Sequence, residues 1–167
     1  GTDATVQTIV LQADGRIVAS GDFTMAGGGG QGANTRLGIA RFNADGSLDS
    51  SFDPGAVGRV LALALQADGR LVVGGMFSSL GGGTGTGTPR ANIGRLSNTH
   101  AATGGLTVSS GGTVITWARG GTAPEISHAL FAASFDGVNY ASLGPGARVA
   151  GGWQVTLGGP LAADPNL

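Results

Sequence analysis

The hydrophobic positions of the chain fall in short runs separated by turn residues, and none of the runs has the spacing of an amphipathic helix. Val6 to Leu11 forms the first run and Arg16 to Phe23 the second, with Asp14-Gly15 between them. An Asp-Gly pair flanked by apolar runs predicts a β-hairpin, and we expect both turn residues to have positive φ angles. Leu37 to Phe42 and Ser47 to Phe52 predict two more strands, so the first unit is expected to contain four antiparallel strands.

This pattern repeats along the chain. The segment Leu11 to Arg16 returns unchanged as Leu65 to Arg70, 54 positions later. Other positions also keep the same residue at the same offset, among them Gly21 and Gly75, Phe23 and Phe77, Ile39 and Ile93, and Arg41 and Arg95. A fixed period of this length, built on short strands, predicts a β-propeller or a similar array. A repeat of this kind cannot bury its faces alone and needs neighbours.

The second unit contains a strand that is apolar at every position. In Val60 to Leu65, small and large apolar side chains alternate, so both faces of the strand are apolar. A strand of this composition is expected to be buried on both faces, as in a sheet that is stacked between two others. We therefore expect the blades of a propeller rather than a sheet with one face in water.

The repeat pattern ends after Leu96, and the remainder of the chain has a different pattern of strands and turns. We expect a domain of residues 1–104 made of two repeats, about 5–55 and 56–104, and a second domain of residues 105–167. Four or five short strands, with a turn at Asp136-Gly137, predict a small antiparallel sandwich. We expect this domain to lack a closing strand, which leaves an edge open for self-association. The predicted fold class is all-β, a propeller-like array of four-stranded units followed by a small β-sandwich-like domain.

Composition and charge exclude several classes of protein. The chain has 34 glycines and no cysteine, which excludes long helices, disulfides and thiolate zinc sites. A formal net charge of −1 gives no basic surface for nucleic acid. None of the apolar stretches approaches the length of a membrane span, and no motif for a cofactor is present.

The repeated residues resemble a known family. L-Q-A-D-G-R-I-V-A-S-G-D-F, followed by I-A-R-F-N-A-D-G-S-L-D-S-S-F-D-P-G, is similar to the delta-60 repeat, a bacterial repeat assigned to β-propellers. Trp117 to Glu125, Ser134 to Gly137 and Gly151 to Gln154 resemble the tail that often follows such arrays. The resemblance implies a multi-bladed propeller in a secreted or surface-attached bacterial protein, and it implies no catalytic activity. Two repeats are too few to close a ring, so further repeats are expected upstream or in other copies of the chain.

The Asp-Gly pairs are the first candidates for chemistry. Each turn offers one carboxylate, whereas a calcium loop places several oxygens in one short segment. We therefore interpret these residues as structural turns in which the Asp accepts hydrogen bonds from nearby backbone N–H groups. They are Asp14, Gly15, Asp45, Gly46, Asp68, Gly69, Asp136 and Gly137.

The other candidates give no complete catalytic set. His100 and His128 are the only histidines, and a sialidase would need an arginine cluster beside Tyr140 and Glu125. The run Gly81 to Thr88 lacks the Lys and the helix that a phosphate loop needs, so it is interpreted as an inter-strand loop with a contact role as the alternative.

Two tryptophans and two arginines complete the candidates. Trp117 and Trp153 could stack on sugars, although core packing is the favoured interpretation. Arg41 and Arg95 occupy matching strand positions and are expected to pair with a carboxylate of a neighbouring strand, with Asp49 as the candidate for Arg41.

The sequence predicts a non-enzymatic extracellular or cell-surface module, structural or interactive, without a cofactor. Its expected partners are further repeats of the same kind, from the upstream chain or from other copies, in a larger propeller or a self-associating assembly. The alternatives are a glycan-binding surface module and, more distantly, a sialidase-like hydrolase.

Overall fold

The structure is a computed structural model that describes residues 1–28 and 34–161 of the 167-residue chain. Every regular element of the described residues is a β-strand, and all strand pairs are antiparallel. The predicted all-β, propeller-like fold class is confirmed. The chain forms two compact units, Gly1–Ala102 with Gly121–Pro124, and Thr103–Gly120 with Glu125–Leu167. The described part of the chain contains no helix of the length and apolar character that a membrane crossing requires.

The first unit contains two main sheets, one from each sequence repeat. Its strands are β1 (Val6–Leu11), β2 (Ile17–Gly21), β3 (Met25–Ala26), β4 (Asn34–Thr35), β5 (Ile39–Phe42), β6 (Ala56–Leu65), β7 (Leu71–Leu80), β8 (Thr88–Pro89) and β9 (Ile93–Leu96). The first sheet has the order β1-β2-β5, and the second contains β6, β7, β8 and β9, with β7 paired to the other three. The short strands β3 and β4 form a separate hairpin. The sequence between β3 and β4 contains a glycine-rich stretch, Gly27 to Gly32, that predicts a loop, and part of it lies outside the described residues.

The two main sheets repeat the same register. Leu11 pairs with Ile17 and Ile17 with Phe42 in the first sheet, and the residues 54 positions later, Leu65, Leu71 and Leu96, pair in the same way. The sequence repeat is therefore a structural repeat in which each position keeps its strand, its partner and its side of the sheet.

The recurring glycines Gly21 and Gly75 have a steric cause. Both sheets have a β-bulge at the same place, between Val6 and Thr8 in β1 and between Val60 and Ala62 in β6. A Cβ atom on Gly21 would lie 2.0 Å from the carbonyl oxygen of Thr5. On Gly75 it would lie 2.2 Å from the carbonyl oxygen of Arg59. The bulge brings the neighbouring backbone so close that only glycine fits.

The Asp-Gly turns differ from the predicted geometry. Gly15, Gly46 and Gly69 have φ angles of 82°, 84° and 82°, whereas the preceding aspartates do not have positive φ. In the first turn, the N–H of Gln12 donates to the Arg16 carbonyl and the N–H of Gly15 donates to the Gln12 carbonyl. This pattern is a three-residue hairpin loop that ends in a left-handed glycine. Such a loop requires a positive φ angle only at that glycine. The expectation of two positive φ angles is wrong for these turns.

The prediction of a fourth strand in the first repeat is also wrong. Residues 47–52 contribute only one isolated bridge, between Phe42 and Leu48, so the first sheet has three strands. The side chain of Asp49 turns inward to Arg41, and the Asp49 backbone N–H donates to the Arg41 carbonyl. Because the Asp49 carboxylate also accepts the N–H and Oγ of Ser51, the chain bends there instead of extending.

The sheets of the first unit pack face to face around one core. Val18 and Ile39 of the first sheet contact Val60, Leu71 and Val73 of the second, and all five are fully buried. A smaller cluster of Phe23, Ala26 and Ala40 lies on the other face of the first sheet.

The prediction that β6 is buried on both faces is wrong for the single chain. Val60 is fully buried and Leu63 packs against the core, whereas Leu61 is 42 % exposed and Ala62 and Ala64 are exposed. The bulge at Leu61 changes the alternation. Within the described residues, no second layer covers the outer apolar face.

The second unit is a four-stranded sheet packed against a hairpin. Its strands are β10 (Thr103–Val108), β11 (Val114–Gly120), β12 (Leu130–Ala133), β13 (Ala141–Pro145), β14 (Ala147–Val149) and β15 (Gly152–Thr156). The sheet has the order β10-β11-β15-β14, and β12 pairs with β13. Ile115, Phe131, Trp153 and Val155 form the buried core of this unit.

A short segment returns to the first unit between β11 and β12. Residues 121–124 lie along the first hairpin, where the N–H groups of Ala13 and Asp14 donate to the carbonyls of Ala123 and Gly121. Thr122 is fully buried and donates from Oγ1 to the His100 carbonyl at 2.5 Å. The sequence pattern gave no indication of this return segment.

Candidate functional site

The three Asp-Gly turns of the first unit use their carboxylates within the turn. Asp14, Asp45 and Asp68 accept the backbone N–H of the residue two positions later, at 3.0, 2.9 and 3.0 Å. A hydrogen bond from the Ser47 hydroxyl, together with that of its N–H, lowers the pKa of Asp45. The Arg70 backbone N–H is the largest cause that lowers the pKa of Asp68. Each carboxylate stabilises its own hairpin.

Asp136 is held in the same manner in the second unit. Its Oδ1 accepts the N–H groups of Val138 and Asn139 and the hydroxyl of Ser134, and its Oδ2 accepts the Asn139 side-chain amide at 2.6 Å. The two backbone hydrogen bonds are the largest causes that hold the pKa of Asp136 well below its usual range. Gly137 has a φ of 70° and completes the turn.

The titratable candidates for chemistry make only local contacts or are exposed. Each histidine has its Nδ1 atom 3.1 Å from the hydroxyl of the preceding residue, Thr99 for His100 and Ser127 for His128. Tyr140 is 69 % exposed, and Glu125 forms an ion pair with Arg148 at 2.9 Å. Residues 1–28 and 34–161 contain no group of three His, Asp or Glu side chains that could hold a metal ion.

Backbone N–H groups of the loop from Gly81 to Thr88 donate to carbonyl oxygens, outside the loop as well as within it. The N–H of Gly83 donates to the Pro54 carbonyl at 3.0 Å, and the N–H of Gly85 donates to the Gly82 carbonyl at 2.8 Å. Donors that are already bonded to carbonyls do not form an anion-binding cradle.

The two tryptophans lie side by side on the inner face of the second unit, where they pair across β11 and β15. Trp153 is only 6 % exposed, and the Arg148 guanidinium lies 5.6 Å from its ring centroid. Trp117 is half-buried and lines a groove of about 310 Å³ together with Leu106, Leu130, Phe131 and Ala132. The side chains lining this groove are all apolar apart from the Trp117 indole N–H, whereas a sugar site needs polar groups for the hydroxyls.

A buried arginine joins the two sheets of the first unit. The Arg41 side chain is fully buried and donates to Asp49 Oδ2 at 2.9 Å. Its other nitrogens donate to Asn98 Oδ1 and Thr99 Oγ1, which follow the last strand of the second sheet. The guanidinium carbon lies 4.4 Å from the centre of the Phe52 ring. The predicted Arg41–Asp49 pair is present.

The electrostatics of this pair follow from its burial. Burial lowers the pKa of Arg41, and the charge of Asp49 offsets part of that effect. Burial acts to raise the pKa of Asp49, but the hydrogen bonds of Ser51 and the charge of Arg41 outweigh it and lower that pKa. Both groups therefore stay ionised at neutral pH, and each satisfies the other in the interior.

The face of the first sheet that carries Arg41 has an exposed counterpart in the second sheet. Cross-strand pairing places Arg41 opposite Val18 and Ile39 opposite Ser20, and these four side chains are fully buried. The residues 54 positions later form what we call the second-sheet open face: Ala62, Ala64, Val72, Gly74, Ile93 and Arg95. Four of these six residues are exposed, and Val72 and Gly74 are half-buried. Ile93 is 68 % exposed, whereas Ile39, its equivalent, is fully buried.

The reverse comparison gives a second surface. Val60, Leu63 and Leu65 of β6 pack into the core between the sheets. Their equivalents on β1 form what we call the first-sheet open face: Val6, Ile9 and Leu11. These side chains are 41, 63 and 48 % exposed. The unit therefore exposes part of each half of the interface that it buries in its middle. On the first-sheet face this part is limited to β1, because Ala19 and Ala40, the equivalents of Val73 and Gly94, are buried.

Neither open face was a sequence-predicted site. The signal was available in the repeat itself, because subtracting 54 from each position of the second repeat pairs Ile93 with Ile39 and Arg95 with Arg41. What the sequence did not supply was which face of each strand is buried.

Comparison with known families agrees with the repeat geometry. Residues 12–52 and 66–96, less than half of the chain, match the family described as "Domain of unknown function (DUF5122) beta-propeller". The match supports a β-propeller repeat protein. The two matched segments coincide with the main strands of the two sheets of the first unit, apart from β1 and β6. Comparisons with curated proteins and with solved structures find no match.

Proposed function

We propose that the chain is a non-enzymatic structural module that associates, through its two open faces, with further repeats of the same kind. The observation that carries the proposal is the repeat of register: Ile39 is buried between the two sheets while its equivalent Ile93 is exposed, and Leu63 packs into the core while its equivalent Ile9 is exposed. Each open face has an equivalent face in the other repeat that is buried between the two sheets. An open face is therefore suited to contact a further repeat in the same way.

The energetics favour covering these faces. Burying an aliphatic side chain of the size of isoleucine or leucine stabilises a contact by about 1.5–3 kcal/mol. Each open face carries at least one large aliphatic side chain that is more than 60 % exposed, Ile93 on one and Ile9 on the other. Apolar sheet faces of this kind mark interaction surfaces.

The finer identity is part of the proposal. We assign the two repeats to the delta-60 type on the residues quoted above, and we place the protein outside the cell or on its surface, because that resemblance implies it. The proposed role requires no cofactor and no catalytic residue.

The test is the mass of the 167-residue chain in solution across a dilution series, measured by sedimentation velocity. The unaltered chain is expected to increase in mass with concentration, and Ile93→Asp is expected to remain a monomer because the contact would then have to desolvate a carboxylate in place of an apolar side chain. Val138→Asp is the matched control, since Val138 is 78 % exposed and belongs to the second unit, whereas both open faces belong to the first. A chain that is monomeric at every concentration, or an Ile93→Asp variant that assembles as the control does, would contradict the proposal.

A further inference from the structure

The second-sheet open face carries an arginine that lacks the ion-pair partner of its counterpart. In the first repeat, Arg41 is neutralised by Asp49 of its own repeat. The position 54 residues after Asp49 is Thr103, so the second repeat has no carboxylate at that place. Among the described residues, no acidic side chain forms an ion pair with Arg95, and Asp68, on which the Arg95 charge acts weakly, pairs with Arg70 at 2.7 Å.

The internal interface shows what would cover this arginine. Arg41 of the first sheet is met by Asn98 and Thr99, which stand two and three residues after the end of the last strand of the second sheet. The corresponding positions after the last strand of the first sheet are Ala44 and Asp45. A second copy that docked its first sheet on Arg95 as the second sheet docks on Arg41 would therefore bring Asp45 to the place of Thr99.

Asp45 is suited to this contact. It lies at the tip of an exposed hairpin, and its Oδ1 accepts both the N–H and the hydroxyl of Ser47. The hydrogen bonds that the described residues make to this carboxylate all fall on Oδ1, which leaves Oδ2 for an incoming donor. The acid that the second repeat lacks would then be supplied by the neighbouring copy.

We infer that Arg95 of one copy forms an ion pair with Asp45 of the next copy, and that this pair fixes the register of the head-to-tail contact. The inference rests on the proposed function, because it needs the two open faces to meet. The partner is a second copy of this chain rather than an unrelated protein, since the charge and the apolar side chains required on the partner are those of the first sheet itself. Charge pairs of this kind decide register and partner choice more than affinity.

The test is charge reversal at both positions, read by sedimentation velocity. Arg95→Asp alone and Asp45→Arg alone are each expected to raise the dissociation constant of the assembly roughly tenfold or more, because like charges then face each other. An equimolar mixture of the two variants restores assembly, since one contact then pairs Asp at position 95 with Arg at position 45 and the other contact is unaltered. The double variant in one chain is expected to assemble as well.

Controls separate this inference from the proposed function. Val138→Asp and Val138→Arg introduce charges of the same signs at an exposed position of the second unit and are expected to leave the mass unchanged. Far-ultraviolet circular dichroism of each variant verifies the fold. If the unaltered chain assembles but the single reversals have no effect, or if the mixture is not restored, the ion pair is overturned and the proposed function stands. If the unaltered chain does not assemble, both fail.

Discussion

At the scale of single residues, the charged groups in the interior of the first unit are the most consequential. Arg41 is fully buried in the space between two sheets, and its hydrogen-bonding nitrogens meet Asp49, Asn98 and Thr99. Breaking a buried ion pair by removing one partner costs about 3–5 kcal/mol, far more than the loss of an exposed pair. The contact between the two sheets therefore depends on the buried Arg41 guanidinium and its polar partners as well as on apolar packing.

The lowered pKa of Asp49 predicts how stability depends on pH. The folded protein holds this pKa below the ordinary value of 3.8, so the stabilisation is present above pH 4 and is lost as the pH falls through the folded pKa. We expect the free energy of unfolding of the first unit to decrease below about pH 4. Asp49→Asn is expected to be less stable at neutral pH by up to about 3–5 kcal/mol and to lose less on acidification.

Hydrogen exchange of the backbone amides of β2 measures this effect within the first unit. Exchange is preferable to tryptophan fluorescence because Trp117 and Trp153 both lie in the second unit. The free energies of the unaltered chain and of Asp49→Asn should converge as the pH falls below 3.8 and through the lowered pKa of Asp49. Two parallel curves over that range would show that Asp49 is not the group responsible.

At the scale of elements, the sequence predicted the positions of the hairpins well, but it predicted less well the fourth strand and the faces that are buried. β1 has the predicted bounds because the β-favouring residues of Val6 to Leu11 end shortly before the turn at Asp14-Gly15. The predicted fourth strand is absent because Asp49 turns inward to pair with Arg41. A pattern of apolar positions gives no information about such a side-chain contact. The prediction that β6 is buried on both faces was wrong for the single chain. An apolar pattern shows which faces can be buried, whereas their exposure depends on whether a neighbour is present.

The return segment of residues 121–124 gives a prediction for two turns that have the same backbone geometry. Gly46 and Gly69 have almost the same φ angles, 84° and 82°, but their surroundings differ. A Cβ atom on Gly46 would have no atom within 4 Å, whereas one on Gly69 would lie 1.9 Å from Thr122 Oγ1. Gly46→Ala is expected to cost about 1–2 kcal/mol for the left-handed backbone. Gly69→Ala is expected to cost at least about 1 kcal/mol more, since the Thr122 hydrogen bond to the His100 carbonyl must break.

A double-mutant cycle isolates the contact between this turn and the return segment. In the Thr122→Ala background, the cost of Gly69→Ala should fall toward that of Gly46→Ala, because the hydroxyl that opposes the new methyl group is gone. Thermal unfolding followed by far-ultraviolet circular dichroism gives the four stabilities. Equal costs of Gly69→Ala in both backgrounds would mean that Thr122 does not lie against this turn in solution.

At the scale of the whole molecule, the two open faces differ from each other, and that difference decides what kind of assembly they can form. The first-sheet open face contributes Ile9 and Leu11 of β1, whereas the second-sheet open face contributes Ile93 and Arg95 of β9. An interface between two different patches is heterologous, and it produces a ring if the rotation closes or a filament if it does not. An isologous dimer would instead use one patch twice.

Two variants, each disabled on one face, distinguish these arrangements. Ile9→Asp damages only the first-sheet open face and Ile93→Asp only the second-sheet open face, so each variant alone is expected to be monomeric. Mixed in equal amounts, they should form a heterodimer that cannot grow, because the intact second-sheet face of Ile9→Asp meets the intact first-sheet face of Ile93→Asp. Native mass spectrometry of the mixture, with one variant isotopically labelled, counts the copies. A single variant that still forms dimers would point to an isologous contact, because such a contact uses only the face that the substitution left intact.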